Sequence, residues 1–140
     1  MARGYRARRT ISAPQQRVWE LLSDISAYPQ WNRAVLEARG KIVEGGKVSL
    51  VSTASPKRTF TLTVSELSAP DRMVWTDGMP LRLFQGTRTY TLNRANGATE
   101  FSMTEEFTGP LAPLMMKVIP DLTESFEAFA ESVKTAAEGG

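Results

Sequence analysis

The fold is decided by residues 84–108, which read FQGTRTYTLNRANGATEFSMTEEFT. Apolar and polar side chains alternate along both halves of this stretch, as they do in strands that bury one face and expose the other. The residues between the halves, Arg94–Ala98, contain Asn-Gly, a sequence typical of tight hairpin loops. We therefore predict a hairpin between strands at Phe84–Asn93 and Thr99–Thr108.

Two charges fall on the inner face of this hairpin. Alternation gives inner rows of Gly86, Arg88, Tyr90 and Leu92 on the first strand and Phe101, Met103, Glu105 and Phe107 on the second. Either register open to the hairpin places Arg88 opposite Glu105 or one diagonal step away. Because an unpaired charge in an apolar interior is costly, we expect a salt bridge. The pair is either purely structural or orients a polar group of a ligand.

Short β-rich runs separated by turn residues precede the hairpin and predict an antiparallel meander. The predicted strands are Tyr5–Ile11, Val35–Val43, Lys47–Thr53, Thr59–Leu67 and Arg72–Asp77, which together with the hairpin make a seven-stranded sheet. Alternation places Phe60 and Leu62 on one inner row and Met73 and Trp75 on the next. All these rows share one apolar face of the predicted sheet.

Two helical segments are expected between the first two strands. Ser12 and Gln15 have the spacing of a capping box, which predicts a helix at Ala13–Ser23. A second, short helical turn is predicted at residues 27–32, broken around Pro29.

The C-terminal part of the sequence has helical periodicity from Leu111 to about Ala137. Its apolar face consists of Leu111, Leu114, Met115, Val118, Ile119, Leu122, Phe126, Phe129 and Val133. Pro120 lacks the amide hydrogen that a helix needs, so we expect a kink there or two helical pieces that share one apolar stripe. A sheet with one apolar face needs an apolar partner, so we expect the sheet to wrap this helix.

The sequence contains neither cysteine nor histidine. This excludes zinc sites made of those residues, nucleophile pairs that use imidazole, and disulfides, and we expect neither a metal nor a cofactor. The 140 residues suit a single domain, 1–140. A balance of 17 Lys and Arg against 15 Asp and Glu creates no strong field for a polyanion, so no nucleic-acid partner is expected.

The sequence shows no segment that would hold the protein in a membrane. There is no apolar run of about 18 residues or more, and Met1 to Arg9 lacks the apolar stretch of a signal peptide. We expect a cytoplasmic protein without a membrane span. A basic cluster near the N terminus suggests a solvated first strand, with a nucleic-acid-associated adaptor role as the alternative; it consists of Arg3, Arg6, Arg8, Arg9 and Arg17.

Several motifs resemble the START-like SRPBCC superfamily, and most closely its polyketide cyclase/dehydrase-like branch. They are Ala13-Pro14-x-x-x-Val18-Trp19, Tyr28-Pro29-x-Trp31-Asn32, Phe84-x-Gly86-x-Arg88-x-Tyr90-x-Leu92, Phe101-x-Met103-x-Glu105-x-Phe107-x-Gly109 and Leu111-Ala112-Pro113-Leu114. The resemblance covers essentially the whole chain. It implies an α+β helix-grip fold, in which a curved seven-stranded antiparallel sheet and a long C-terminal helix enclose a deep cavity.

The resemblance also implies that the cavity serves small hydrophobic molecules. Members of the superfamily take lipids, sterols, polyketides, plant hormones or aromatic intermediates there, and some catalyse cyclisation or dehydration. Where many relatives have histidine on the inner rows, this chain has Arg88 and Met103. Imidazole-assisted chemistry is therefore out of reach.

The leading hypothesis is that the protein binds or transports a small hydrophobic molecule of lipid, polyketide or aromatic type. The candidate ligand-binding residues are Phe60, Leu62, Met73, Trp75, Met79, Leu81, Phe84, Arg88, Tyr90, Met103, Glu105, Met115, Ile119, Leu122 and Phe126. One alternative is that these side chains fill the interior completely. Another is a cyclase or dehydratase in which Glu105 is the general acid/base, Arg88 holds an enolate or carboxylate and Tyr90 donates a proton.

The loop from Gly78 to Leu83 is short, apolar and rich in turn residues. Apolar side chains on a loop are hard to explain as solvated surface, so we expect the loop to cover a cavity mouth or to form the contact of a homodimer. Tyr28 and Trp31 either line the same mouth or pack on the first helix, and we favour packing.

Overall fold

The computed structural model describes residues 3–139. The strands are β1 (Arg3–Ile11), β2 (Val35–Gly40), β3 (Lys47–Ser52), β4 (Phe60–Ser68), β5 (Arg72–Gly78), β6 (Gln85–Ala95) and β7 (Ala98–Thr108). They form one antiparallel sheet in the order β1-β7-β6-β5-β4-β3-β2. Strands β2 to β7 pair with their neighbours in sequence, and β1 joins β7 at the far edge. The predicted seven-stranded meander is confirmed.

The hairpin of β6 and β7 is tighter than its predicted loop. Ala95 pairs with Ala98, so the loop contains only Asn96 and Gly97. Both residues have positive φ angles, 51° and 84°, as the common two-residue hairpin turn requires. The strands therefore extend by one or two residues beyond the predicted ends. In this register Arg88 lies directly opposite Glu105.

The N-terminal helices lie where they were predicted, but the predicted cap is wrong. Helix α1 (Gln15–Ser23) has Pro14 at its N-cap and no side-chain cap, and α2 (Tyr28–Trp31) follows a 3-10 turn at Ile25–Ala27. Gln15 turns inward instead. Its side-chain amide donates hydrogen bonds to Asp71 Oδ1 at 2.7 Å and to the Leu92 carbonyl oxygen at 2.8 Å. A buried amide with such partners serves tertiary packing rather than the helix end.

The C-terminal segment consists of two helical pieces. Helix α3 (Ala112–Met115) has a single turn, and α4 (Thr123–Gly139) begins only after Pro120. The two-piece alternative is therefore confirmed, but the single apolar stripe is wrong, because Leu114 and Val118 are 59% and 67% exposed. Among the described residues, no helix is both long and apolar enough to cross a membrane.

Helix α4 packs against β1, α1 and β7 at one end of the concave face. Its Phe129 packs into a cluster of aromatic side chains that come from the sheet and from α2. The Trp75 ring lies 4.9 Å from the Tyr90 ring, which lies 5.6 Å from Phe129, and Tyr28 lies 6.5 Å from Trp75. All four side chains are at most 3% exposed. This end of the interior is closely packed.

Candidate ligand-binding cavity

A cavity of about 350 Å³ lies between the concave face of the sheet and the chain that follows β7. Most of its wall is apolar. The lining residues are Ala34, Val35, Leu50, Ser52, Arg58, Phe60, Leu62, Asp77, Gly78, Met79, Phe84, Gly86, Arg88, Met103, Glu105, Phe107, Met115, Val118, Ile119, Pro120, Leu122, Ser125, Phe126 and Phe129. Its volume lies within the usual range of small-molecule sites, about 300–1,000 Å³.

Only the first turns of α4 reach the cavity, and a break in the helix covers the rest. Between Met115 and Thr123 the chain leaves the α-helix, and Pro120 lies on the cavity wall. A continuous helix there would present a full apolar face to the sheet. The non-helical segment at residues 116–122, which we call the broken segment, covers this part of the sheet instead, and its Ile119 and Leu122 also line the cavity.

The ion pair of Arg88 and Glu105 is part of this wall. Arg88 Nε and Nη2 each lie 2.8 Å from Glu105 Oε1, so both contacts reach the same carboxylate oxygen. The two side chains are 16% and 7% exposed. The Arg88 guanidinium also lies 4.9 Å from the centre of the Phe126 ring, a cation–π contact. The salt bridge expected from the sequence is confirmed.

Gly86 leaves room for this carboxylate. A Cβ atom at position 86 would lie 3.0 Å from Glu105 Oε2 and 3.3 Å from the ring of Phe107. Both distances are tighter than ordinary van der Waals contact. A side chain at this position would therefore push the carboxylate or the ring out of place.

Burial shifts the pKa values of Arg88, a member of the pair, and of the adjacent Tyr90. Burial alone would lower the pKa of Arg88, but the adjacent Glu105 carboxylate and Tyr90 together outweigh it and raise the pKa above its usual range. Burial raises the pKa of Tyr90 to about 12, opposed by the positive charge of Arg88. The charge of Arg88 acts on the Tyr90 hydroxyl without a hydrogen bond, because that hydroxyl has no partner at hydrogen-bonding geometry among the described residues. The interaction is therefore chiefly electrostatic, and Tyr90 stays protonated at neutral pH.

The structure brings most of the candidate ligand-binding residues to the cavity wall. These are Phe60, Leu62, Met79, Phe84, Arg88, Met103, Glu105, Met115, Ile119, Leu122 and Phe126. Met73, Trp75 and Tyr90 do not line the cavity, because their side chains fill the packed end of the interior and are fully buried. Leu81 does not line it either, since its side chain is 90% exposed. Tyr28 and Trp31 pack against each other and are likewise absent from the wall.

Several wall residues were not among the candidates. Gly86 and Phe107 lie on the inner rows that alternation had identified, so the sequence carried a signal for them. Ser52 and Ser125 carried a weaker one, because small polar residues do not stand out on an apolar face. Leu50, Val35 and Asp77 line the cavity from strands, whereas Ala34 and Arg58 reach it from loops.

The mouth of the cavity lies between the Gly78–Leu83 loop and the broken C-terminal segment. Met79 from the loop and Val118 from the segment line the cavity and are 40% and 67% exposed. The loop is tied to the residue just before α3 by a hydrogen bond of 2.9 Å from the Leu111 amide to the Leu83 carbonyl oxygen. Met79 and Phe84 thus bring both ends of this loop to the cavity wall, whereas Leu81, with a φ of 62°, is 90% exposed.

Comparisons with solved structures place the fold among START-like proteins. The Zhui aromatase/cyclase from Streptomyces sp. R1128 is similar, with a TM-score of 0.76, 16% identity, and coverage of 99% of this chain and 94% of the other. A START superfamily protein from Mycobacterium smegmatis has a TM-score of 0.69 and 13% identity, with 97% of each chain covered. A truncated norcoclaurine synthase from Thalictrum flavum has a TM-score of 0.68 and 9% identity, with 97% and 93% covered.

A comparison with curated protein sequences found no match. The family model described as "Polyketide cyclase / dehydrase and lipid transport" matches residues 3–138, almost the whole chain. The solved structures share the fold seen here, an antiparallel seven-stranded sheet covered by a C-terminal helix. The chain therefore belongs to the polyketide cyclase/dehydrase and lipid transport family.

Proposed function

We propose that the protein binds and carries a small, largely hydrophobic molecule in this cavity without transforming it. The observation that carries the proposal is an apolar space of about 350 Å³ beneath the helix break, with a mouth at Met79 and Val118. Apolar walls with a few placed polar groups are typical of small-molecule sites, where burial of apolar surface supplies most of the binding free energy.

The composition of the wall supports binding over catalysis. The deep polar groups are Arg88 and Glu105, and both are engaged with each other. Tyr90, the third residue of the enzymatic alternative, does not line the cavity, and its pKa of about 12 keeps its proton in place. The Arg88 guanidinium is already occupied by a protein carboxylate, which weakens its hold on an enolate.

A cyclase or dehydratase is the second candidate, and one feature favours it. Glu105 Oε2 accepts no hydrogen bond from any residue in the described part of the chain, so it is free to take a proton from a ligand. In this scheme Glu105 is the general base and Arg88 stabilises the enolate that forms. The description of the family includes both types of protein.

Titration with the neutral fluorescent probe N-phenyl-1-naphthylamine tests the proposal. We expect saturable binding at micromolar concentrations to the wild type. Ser125→Phe places a ring in the cavity from α4 and is expected to weaken binding at least tenfold. Thr135→Phe adds the same ring to an exposed position of the same helix and serves as the matched control. No saturable binding by the wild type, or equal binding by both variants, would defeat the carrier function.

Mass spectrometry separates the two candidates. A ligand that co-purifies with the protein is incubated with fresh wild-type protein and with Glu105→Gln. Recovery of the unchanged molecule in both cases supports a carrier. Loss of a water mass with the wild type alone identifies a dehydratase that depends on Glu105.

A further inference from the structure

The charged side chains of the cavity wall balance one another. Among the lining residues in the described part of the chain, four carry charge: Arg58 and Arg88 are positive, and Asp77 and Glu105 are negative. Arg58 and Asp77 are exposed to solvent, so water screens them. Arg88 and Glu105 form the buried pair, and its net charge is zero. The lining side chains that the structure describes therefore leave no surplus charge with which to hold a charged ligand.

The pair nevertheless keeps one donor and one acceptor unused. Both contacts from Arg88 reach Glu105 Oε1. Among the side chains that the structure describes, those of residues 4–139, Glu105 Oε2 and Arg88 Nη1 therefore have no partner at hydrogen-bonding geometry. Some polar side-chain atoms without a partner are fully enclosed by protein, such as Trp75 Nε1 and Tyr90 Oη. Glu105 Oε2 and Arg88 Nη1 are not among these enclosed atoms, so both retain some accessible surface. An acceptor and a donor from one ion pair thus remain open to a molecule in the cavity.

A charged end group on the ligand would disturb this arrangement. A carboxylate could contact Arg88 only by placing a second negative charge next to Glu105. An ammonium group could contact Glu105 only by placing a second positive charge next to Arg88. In either case a charge without compensation would be buried among apolar side chains such as Phe126 and Met103, which is costly.

We propose that the cavity selects a neutral ligand whose polar end has a hydrogen-bond donor next to an acceptor, such as a primary carboxamide. The N–H of the ligand donates to Glu105 Oε2, and its carbonyl oxygen accepts from Arg88 Nη1. The apolar remainder of the ligand lies against the rest of the wall. This inference rests on the proposed function and specifies the class of ligand.

A matched series of probes tests the selection. All members carry the same naphthalene ring: 2-naphthamide, 2-naphthoate, 2-naphthylmethylammonium and 2-ethylnaphthalene. Affinities for the wild-type protein are measured at pH 7 by displacement of N-phenyl-1-naphthylamine. We expect 2-naphthamide to bind at least tenfold more tightly than either charged probe and several-fold more tightly than 2-ethylnaphthalene.

Variants of the pair sharpen the test by changing its charge. Glu105→Gln leaves Arg88 without its counter-charge, so the preference is expected to switch to 2-naphthoate. Arg88→Gln leaves Glu105 alone and is expected to switch it to 2-naphthylmethylammonium. The double variant Arg88→Gln/Glu105→Gln restores neutrality and the preference for 2-naphthamide. Near-UV circular dichroism checks the fold of each variant, and the wild-type series is decisive even if a variant does not fold.

The outcomes distinguish this inference from the function on which it rests. Equal affinities across the four probes, or tightest binding of 2-naphthoate or 2-naphthylmethylammonium to the wild type, would overturn the selection while leaving a hydrophobic carrier intact. Failure of all four probes to bind would overturn both. A preference for 2-naphthamide that disappears in the single variants supports the selection.

Discussion

The two ends of the concave face differ although they belong to the same sheet. At one end, which we call the filled end, Met73, Trp75, Tyr90 and Phe101 are at most 1% exposed beneath α4. At the other, the open end, Phe60 and its neighbours line a cavity of about 350 Å³. Both ends carry apolar inner rows with the same alternation. Apolar patterning thus specifies a buried face, but not whether the space above it is filled.

The covering segment accounts for the difference. Helix α4 begins at Thr123. Its Phe129 and Val133 are at most 3% exposed and cover the filled end, while Phe126 and Phe129 also border the cavity. Upstream of Thr123 the broken chain around Pro120 supplies fewer inward-facing groups, and Val118 points outward. The space that no side chain enters remains as a cavity. Protein interiors otherwise contain few voids larger than a water molecule, so a void of this size needs a specific cause such as this break.

Truncation of one aromatic residue at each end is expected to show the largest contrast. Trp75→Ala removes a fully buried ring and should lower the free energy of unfolding by about 3–5 kcal/mol. Phe60→Ala removes a partly exposed ring that already faces a void, so we expect a loss of about 1 kcal/mol. Urea denaturation measures both. Equal losses would show that the open end is packed as closely as the filled end.

Loss of the buried ion pair should have the next largest effect. Glu105→Gln leaves the Arg88 guanidinium in the wall without its counter-charge, and we expect a loss of about 2 kcal/mol, reduced by access of water through the cavity. Glu66→Gln breaks the exposed pair with Arg72 and is expected to cost about 0.5 kcal/mol or less. Thermal or urea unfolding provides the comparison. If Glu105→Gln left the free energy of unfolding unchanged, the pair would contribute little to the stability of the fold.

Two serines on α4 allow the ends to be compared on a single helix. Ser132 is buried at the filled end, where its Oγ accepts a hydrogen bond of 3.1 Å from the Arg33 amide, while Ser125 lines the cavity. Ser132→Leu should overpack its site and cost about 1–2 kcal/mol. Ser125→Leu should leave stability nearly unchanged, because its added volume enters the void. A stable Ser132→Leu together with a destabilised Ser125→Leu would reverse the assignment of the two ends.

The smallest effect is expected at the mouth. Val118→Ser removes an exposed apolar contact from the cavity rim and should weaken probe binding by roughly threefold, corresponding to less than about 1 kcal/mol. Leu36→Ser changes an apolar residue that is 48% exposed and does not line the cavity. It should leave probe binding unchanged. If both variants bind the probe equally well, the mouth lies elsewhere.

Residues on the strands were the most predictable part of the site. Alternation on β6 and β7 was sufficient to place Arg88 and Glu105 on the inner face, because neighbouring side chains on a strand must point in opposite directions. The direct pairing followed from the Asn96-Gly97 turn, whose geometry sets the register. The misplaced candidates were Met73, Trp75, Tyr90 and Leu81. The first three were correctly identified as inward-facing, yet inward-facing does not mean in contact with a ligand.

The sequence alone determined the number of strands, their inner rows, the charged pair and the interruption at Pro120, since each depends on interactions between residues close along the chain or paired across one hairpin. The tertiary structure alone decided that a void lies at one end of the sheet. A void is the difference between the space enclosed by distant segments and the volume of the side chains that enter it. That difference depends on where α4 lies across the sheet, which no local pattern encodes.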